Sequence, residues 1–285
     1  MKGRLFMSAK KKDRLLTAAG AIVCLMILMF FLFPYVYLVL SSFKPPHEVV
    51  TTSPSMLPSR WTVENYRIAF SQMPVGRYFG NSVIASAAST ALAVFIGSMA
   101  AYGCSRLNST KLAAGCLLIT LAMRLIPMIS VAIPMFGISI QWGMYDTLPF
   151  LIMFYTAFQL PFIIWMMSSY FKGVPEELEE AAQIDGCGLV RSFVSIILPV
   201  SKPGIATTTI LSFLLPWNDF MFALFTTSRN AKTLPVGLSE FVTSYDINLA
   251  PMTAIATFFS IPIIIMTFYL QKYIVSGMTL GAVKG

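Results

Sequence analysis

Six stretches of this chain each run for more than twenty residues with at most one charged side chain: residues 15–43, 78–105, 112–136, 148–171, 204–227 and 247–271. A helix needs about 20 apolar residues to cross a bilayer. Hydrocarbon offers the backbone no water, so a run of that length must close its own hydrogen bonds as a helix. The pattern predicts an all-α, polytopic integral membrane protein with six transmembrane helices. The 285 residues are 11% charged, against roughly 25% in soluble domains. That leaves no soluble core, and residues 1–285 form a single transmembrane domain. The net charge of +8 does not indicate a nucleic-acid partner, because the basic residues gather at the ends of the apolar runs.

The first run follows a basic stretch (Lys10, Lys11, Lys12, Arg14). It is longer than the 7–15-residue core of a signal peptide, so it reads as an uncleaved first membrane helix. Basic residues also orient the chain. With the N-terminus inside, 13 of the 20 Lys and Arg fall on the cytoplasmic side (in 1–14, 172–202, 273–285 and the short loop near 106–111, and at Lys272 just past the last run) and 6 in the outer loops 44–77 and 228–250. Both termini are therefore expected on the cytoplasmic side of the membrane. The outer loop 44–77 is Pro-rich and should be ordered by prolines and by Trp61, Tyr66 and Phe70. Cys24, Cys104, Cys116 and Cys187 contain no CxxC pair and read as packing residues. His47 has no partner at ligand spacing, so no metal site is expected.

The inner loop 172–202 is unusual. It carries Glu176, Glu177, Glu179, Glu180, Ala181, Ala182 and Asp185 between two membrane-length runs. Pro175 suits a first helical position, the acids favour the positive end of the helix dipole, and Gly186 and Gly188 end the segment. Leu178, Ala181, Ala182 and Asp185 follow i, i+3, i+4, i+7 spacing and share a face. A helix resting on anionic headgroups carries Lys and Arg with bulky apolar residues. This one carries acids and alanines, which suit close approach to a basic protein surface.

The order Glu180-Ala181-Ala182, Gly186, Ile196 and Leu198-Pro199 resembles the EAA signature in permease subunits of bacterial ATP-binding-cassette importers. Further segments resemble the carbohydrate-uptake branch: Ser42-Phe43-Lys44-Pro45, Tyr155-Thr156-Ala157-Phe158, Leu160-Pro161-Phe162, Trp217-Asn218-Asp219-Phe220, Thr233-Leu234-Pro235-Val236-Gly237-Leu238 and the tail Gly281-Ala282-Val283-Lys284-Gly285. Within that branch the chain is similar to the maltose-type permease subunit without a large periplasmic domain. The resemblance implies the type I importer fold, with the acidic helix as a coupling helix. Glu180, Ala181, Ala182, Asp185 and Gly186 would dock it on an ATPase, and Lys284 and Gly285 would make a second ATPase contact. It also implies a second permease subunit in a heterodimer, two ATPase subunits that hold ATP and Mg, an extracytoplasmic solute-binding protein, surrounding membrane lipid and a sugar substrate. The chain itself would bind no cofactor.

Two features lie within the membrane runs. A charge at that depth costs at least ~2.5 kcal/mol on insertion scales, so it must face protein or water. Arg124 fits either the translocation path or a structural contact. Asp219 fits a gate, a partner for Arg124, or a site near the outer interface. Trp217 and Asn218 beside it are candidates for the path, with Trp217 able to stack on a sugar ring or to anchor the helix. Pro127, Pro134, Pro161, Pro216 and Pro262 predict kinks. No G-x-x-x-x-G-K-[ST], H-E-x-x-H or G-x-S-x-G is present, so ATP hydrolysis is expected on partner subunits and the chain is not expected to be an enzyme. The rival class is a stand-alone secondary transporter driven by an ion gradient, for which Asp219 is the one available intramembrane carboxylate.

Overall fold

The structure is a computed structural model that describes residues 2–107, 110–242 and 248–282. Side chains are described over 14–107, 111–242, 248–269 and at residue 271. Every regular element among the described residues is helical. The principal helices are α1 (Lys2–Ser42), α2 (Glu64–Gln72), α3 (Val75–Ser105), α4 (Thr110–Met123), α5 (Met128–Gln141), α6 (Leu148–Lys172), α7 (Glu177–Ile184), α8 (Lys202–Trp217), α9 (Met221–Thr226) and α10 (Leu249–Ala282).

Among the described residues, four uninterrupted segments are long and apolar enough to cross a membrane: Arg14–Ser42, Val75–Ser105, Leu148–Lys172 and Leu249–Tyr269. Two further spans are bent pairs. Lys111–Met123 meets Met128–Gln141 at 82°, and Leu189–Val200 meets Lys202–Trp217 at 79°. Counting each pair once gives six. Pro127 is extended (φ −63°, ψ 134°) at the first break, and the residue before a proline avoids the helical region. The second pair differs from expectation. The run 204–227 is interrupted after Trp217, beside Pro216 where a kink is expected, and the Asp219 carboxylate accepts the Phe222 and Ala223 N–H groups in the first turn of the short α9. The segment that extends α8 is instead 189–200, the return leg of the loop 172–202, which passes through a π-helical turn at Phe193–Ile197.

Two compact units can be described separately: Met1–Gln72 with Thr243–Phe258, and Met73–Val242 with Phe259–Gly285. In the first, Phe43 packs on Tyr66 (ring centroids 5.4 Å) and Trp61 (6.1 Å), as the aromatic pattern of this loop suggests. Asn65 does more than the rings. Its buried Nδ2 donates to the carbonyls of Ser42 (3.1 Å) and Lys44 (2.8 Å), closing the chain after α1. Lys44 is fully buried, its Nζ donating to the Ser55 carbonyl (2.6 Å) over the Tyr37 ring.

In the second unit α3 lies against α6 through a buried row of small residues, Ala85, Ser86, Ser89, Ala93, Gly97 and Ala101. Lipid is as apolar as a leucine side chain, so small residues that let backbones approach are what hold such helices together. Gly97 shows the limit. A Cβ there would lie 2.6 Å from Ile163 Cγ2. Gln159 of α6 fixes the register, accepting from Thr90 Oγ1 (3.1 Å) and donating to Ser89 Oγ (3.1 Å). Toward one end of this pair Ile163, Met167 and Phe171 of α6 form an apolar cluster with Phe193 and Ile197 of the return leg. Toward the other, Phe150 and Phe154 stack on Phe222 of α9.

Candidate functional site

The acidic helix forms where the sequence places it, two residues later at its start. Pro175 lies just outside, and α7 is eight residues long. Its end is tightly specified. Gly186 has φ +81°, the left-handed region where a Cβ costs roughly 1–2 kcal/mol. The Gly186 N–H donates to the Gln183 carbonyl (3.0 Å) and the Cys187 N–H to the Ala182 carbonyl (2.9 Å). These two bonds are the Schellman closure of a helix C-terminus.

The two faces of α7 differ. Leu178, Glu180, Ala181, Asp185 and Gly186 are exposed, and Ile184 is 87% exposed. Glu179 (7%) and Ala182 (4%) are buried against the rest of the chain. The expected grouping of Ala182 with Ala181 on an outward face is therefore corrected. Residues three apart share a side of a helix, and Glu179, three before Ala182, is turned inward by a strong partner.

That partner is Arg106, the residue that caps α3. Its Nε donates to Glu179 Oε1 (2.7 Å), and its Nη2 closes the ion pair with the same oxygen. The remaining guanidinium hydrogens reach the carbonyls of Phe171 (3.2 Å) and Val174 (3.3 Å). Tyr102 Oη donates to Glu179 Oε2 (2.6 Å). The Tyr102 ring in turn packs on Phe193 of the return leg (4.7 Å). Both flanks of the loop 172–202 are thus tied to the end of α3. Glu176, by contrast, is 72% exposed and only 3.9 Å from the guanidinium.

The residues predicted along the path are not brought together. Arg124 is exposed in the break between α4 and α5, its guanidinium over the Phe162 ring (4.8 Å). Asp219 does not pair with it. The buried Asp219 carboxylate accepts from Tyr155 Oη (2.6 Å) and from the N–H groups of Phe222 (3.3 Å) and Ala223 (3.0 Å). Trp217 is fully enclosed, stacked on Phe259 (4.5 Å) and Phe213 (5.3 Å), so it packs the core and presents no face to a sugar. Asn218 is exposed, with Nδ2 on the Leu214 carbonyl (2.8 Å). Lys284 and Gly285 lie outside the described residues.

A second organised region joins α3 to the loop 228–241. Asp146, at φ +58°, accepts N–H bonds from Ser228, Arg229, Asn230 and Ala231 at 2.8–3.1 Å. Burial pushes its carboxyl up, and the four N–H donors outweigh that, holding it below the usual carboxylate range. Asn81 Nδ2 donates to the carbonyls of Asn230 and Lys232 (both 2.9 Å), and the Leu234 N–H donates to Ser82 Oγ (2.9 Å). Glu240 Oε1 accepts from Lys232 Nζ (2.6 Å) and Tyr78 Oη (3.1 Å).

Residues 93–280 match the family model described as "Binding-protein-dependent transport system inner membrane component". The chain belongs to this family. It is similar to the inner membrane ABC transporter permease protein YcjP of Escherichia coli (35% identity; 89% of this chain, 91% of that one). It is also similar to the trehalose/maltose transport system permease protein MalG of Thermococcus litoralis (36%; 95% and 97%). Among solved structures, a bacterial ABC transporter involved in the import of the acidic polysaccharide alginate shares its fold (TM-score 0.75, 21% identity; 92% of this chain and 97% of that one).

As an inner membrane transport component, the chain carries three anchors that its sequence does not advertise. Arg106 reads as one of many inside charges, Glu179 as a dipole-favouring acid, and nothing in the sequence singles out Asp146. Their partners lie up to 85 residues away, beyond the reach of spacing arguments.

Proposed function

We propose that the chain is the membrane-spanning subunit of an ATP-driven importer and forms half of a translocation pathway for a sugar or oligosaccharide. It pairs with a second, similar permease subunit. Two ATPase subunits, which bind ATP and Mg, dock on the cytoplasmic side, and a solute-binding protein docks on the other. Both termini are cytoplasmic, in keeping with the bias of Lys and Arg. The carbohydrate class follows from the trehalose/maltose relative together with the sequence resemblance.

The observation that carries this reading is the build of α7. It is a short helix clamped from behind by Arg106 and closed at Gly186, with Glu180, Ala181, Ile184 and Asp185 turned outward. The acids of this face are repelled by anionic headgroups, and an exposed isoleucine among them suits an apolar cleft rimmed by basic residues. Arg124, exposed in the membrane break, leaves acidic oligosaccharides within the substrate range.

The test is uptake by proteoliposomes holding the chain with its partner permease, ATPase and solute-binding protein. Labelled maltose, trehalose and a uronate oligosaccharide are offered in turn. Uptake of at least one should require internal ATP and survive collapse of proton and sodium gradients. Uptake that follows an ion gradient without nucleotide would overturn the proposal.

A further inference from the structure

We propose that α3 is a rigid tie between the outer loop 228–241 and the coupling helix, with Asn81 and Arg106 as its outer and inner positioning residues. The inference rests on the proposed function for the identity of what pulls on α7. Its structural basis is the pair of fastenings at opposite ends of one helix. Asn81 and Arg106 are 25 positions apart, or about 38 Å along a helix, close to the thickness of a bilayer with its headgroups. At the inner end a single guanidinium holds Glu179 of α7 and two carbonyls of the preceding turn, while Tyr102 holds the same carboxylate and packs on the return leg. At the outer end one amide holds two carbonyls of the outer loop.

Between these ends α3 cannot bend freely. Its buried row is packed against α6 to the point that Gly97 has no space for a methyl group, and dense interiors transmit displacement instead of absorbing it. A shift imposed on α7 therefore moves α3 and with it the outer loop. Without the inner fastening the shift is taken up in the loop connections. Arg106 touches neither ATPase nor substrate in this scheme. It acts by making α7 and α3 one body.

The experiment uses the full complex in nanodiscs, with the four native cysteines replaced by alanine and Ser228→Cys as the outer reporter. A membrane-impermeant maleimide measures reporter reactivity without nucleotide and after trapping with ATP and vanadate. With α3 intact the two rates should differ about fivefold or more, the lower range of measured couplings. Arg106→Met and Asn81→Ala should each bring the rates to within about twofold in complexes that retain the ATPase, and Asn81→Ala, remote from α7, should leave ATP hydrolysis as before. Arg106→Lys, which keeps the charge but loses the fork, should recover part of the difference.

A merely structural role predicts another pattern. Thermal destabilisation by two distant substitutions adds, whereas breaking a tie twice costs the reporter response no more than breaking it once. An unchanged rate difference in Arg106→Met with the ATPase bound would overturn the tie. Should Arg106→Met fail to insert, an unchanged response in both Arg106→Lys and Asn81→Ala would overturn it equally. Failure of the ATPase to co-purify with the unsubstituted chain would instead remove the proposed function, and the tie with it.

Discussion

Gly186 gives the sharpest prediction, because backbone and side-chain explanations rank its substitutions differently. Its φ of +81° is set by the two hydrogen bonds that close α7. A Cβ built there has no atom within 4 Å, so within the chain substitution has no steric term. What remains is the cost of left-handed backbone: roughly 1 kcal/mol for Ala, about 2 kcal/mol for β-branched Val, and about 0.5 kcal/mol for Asn, which tolerates this region. The docked helix must keep its closure while the undocked loop can relax. The strain then appears in affinity, as about fivefold weaker ATPase binding for Gly186→Ala, roughly 30-fold for Gly186→Val and about twofold for Gly186→Asn. The assay is titration of the purified ATPase onto the permease complex in nanodiscs at constant membrane level. Binding that weakens in the order Ala, Asn, Val would follow side-chain volume and refute the backbone argument, as would a series with no change.

Three further outcomes follow from the same contacts. Gly97→Leu drives a side chain into Ile163 and should lower stability by at least ~1–3 kcal/mol through overpacking, with partial recovery when Ile163→Ala is added, as read by thermal melting in detergent. Trp217→Ala should cost ~3–5 kcal/mol of stability through lost core packing, while substrate affinity of the folded fraction stays unchanged in an uptake titration. Asp146→Asn removes half of the acceptor set for four N–H groups and should destabilise the chain by about 1–3 kcal/mol. Because the folded carboxyl titrates below the ordinary value of about 3.9, its contribution is complete above that pH and is lost as pH falls through the folded value. The stability gap between the native chain and Asp146→Asn should therefore be constant above about pH 5 and close at lower pH, which melting curves at stepped pH would reveal.

The membrane spans were legible because length and lack of charge are local properties, and bilayer thickness converts them directly into helices. Breaks were legible in part. Pro127 marks the first bend and Pro216 the break after Trp217, but nothing in the run 204–227 announces that Asp219 will hold the start of a new helix, because its partners Tyr155, Phe222 and Ala223 are chosen by packing. The acidic helix and its glycine stop were readable from spacing. Its rotation was not. Ala181 and Ala182 are adjacent and chemically alike, and which of them faces out is decided by Arg106, 73 positions before Glu179. The same limit hid Asn65 and Lys44, whose partners are backbone carbonyls and leave no mark in sequence. Trp217 was open to two readings for a related reason: an aromatic in a membrane run can serve an interface, a ligand or a core, and only the rings of Phe213 and Phe259 choose between them.

The account stands on an outward face of α7 that a separate ATPase grips. Attaching benzophenone-maleimide to Ala181→Cys and, separately, to Ala182→Cys in a chain without native cysteines tests this with neighbouring probes. After illumination of the assembled complex, Ala181→Cys should yield an adduct with the ATPase subunit. Ala182→Cys, 4% exposed in the parent chain, should resist labelling and yield none. Absence of the adduct at 181, or equal adducts at both positions, would contradict it.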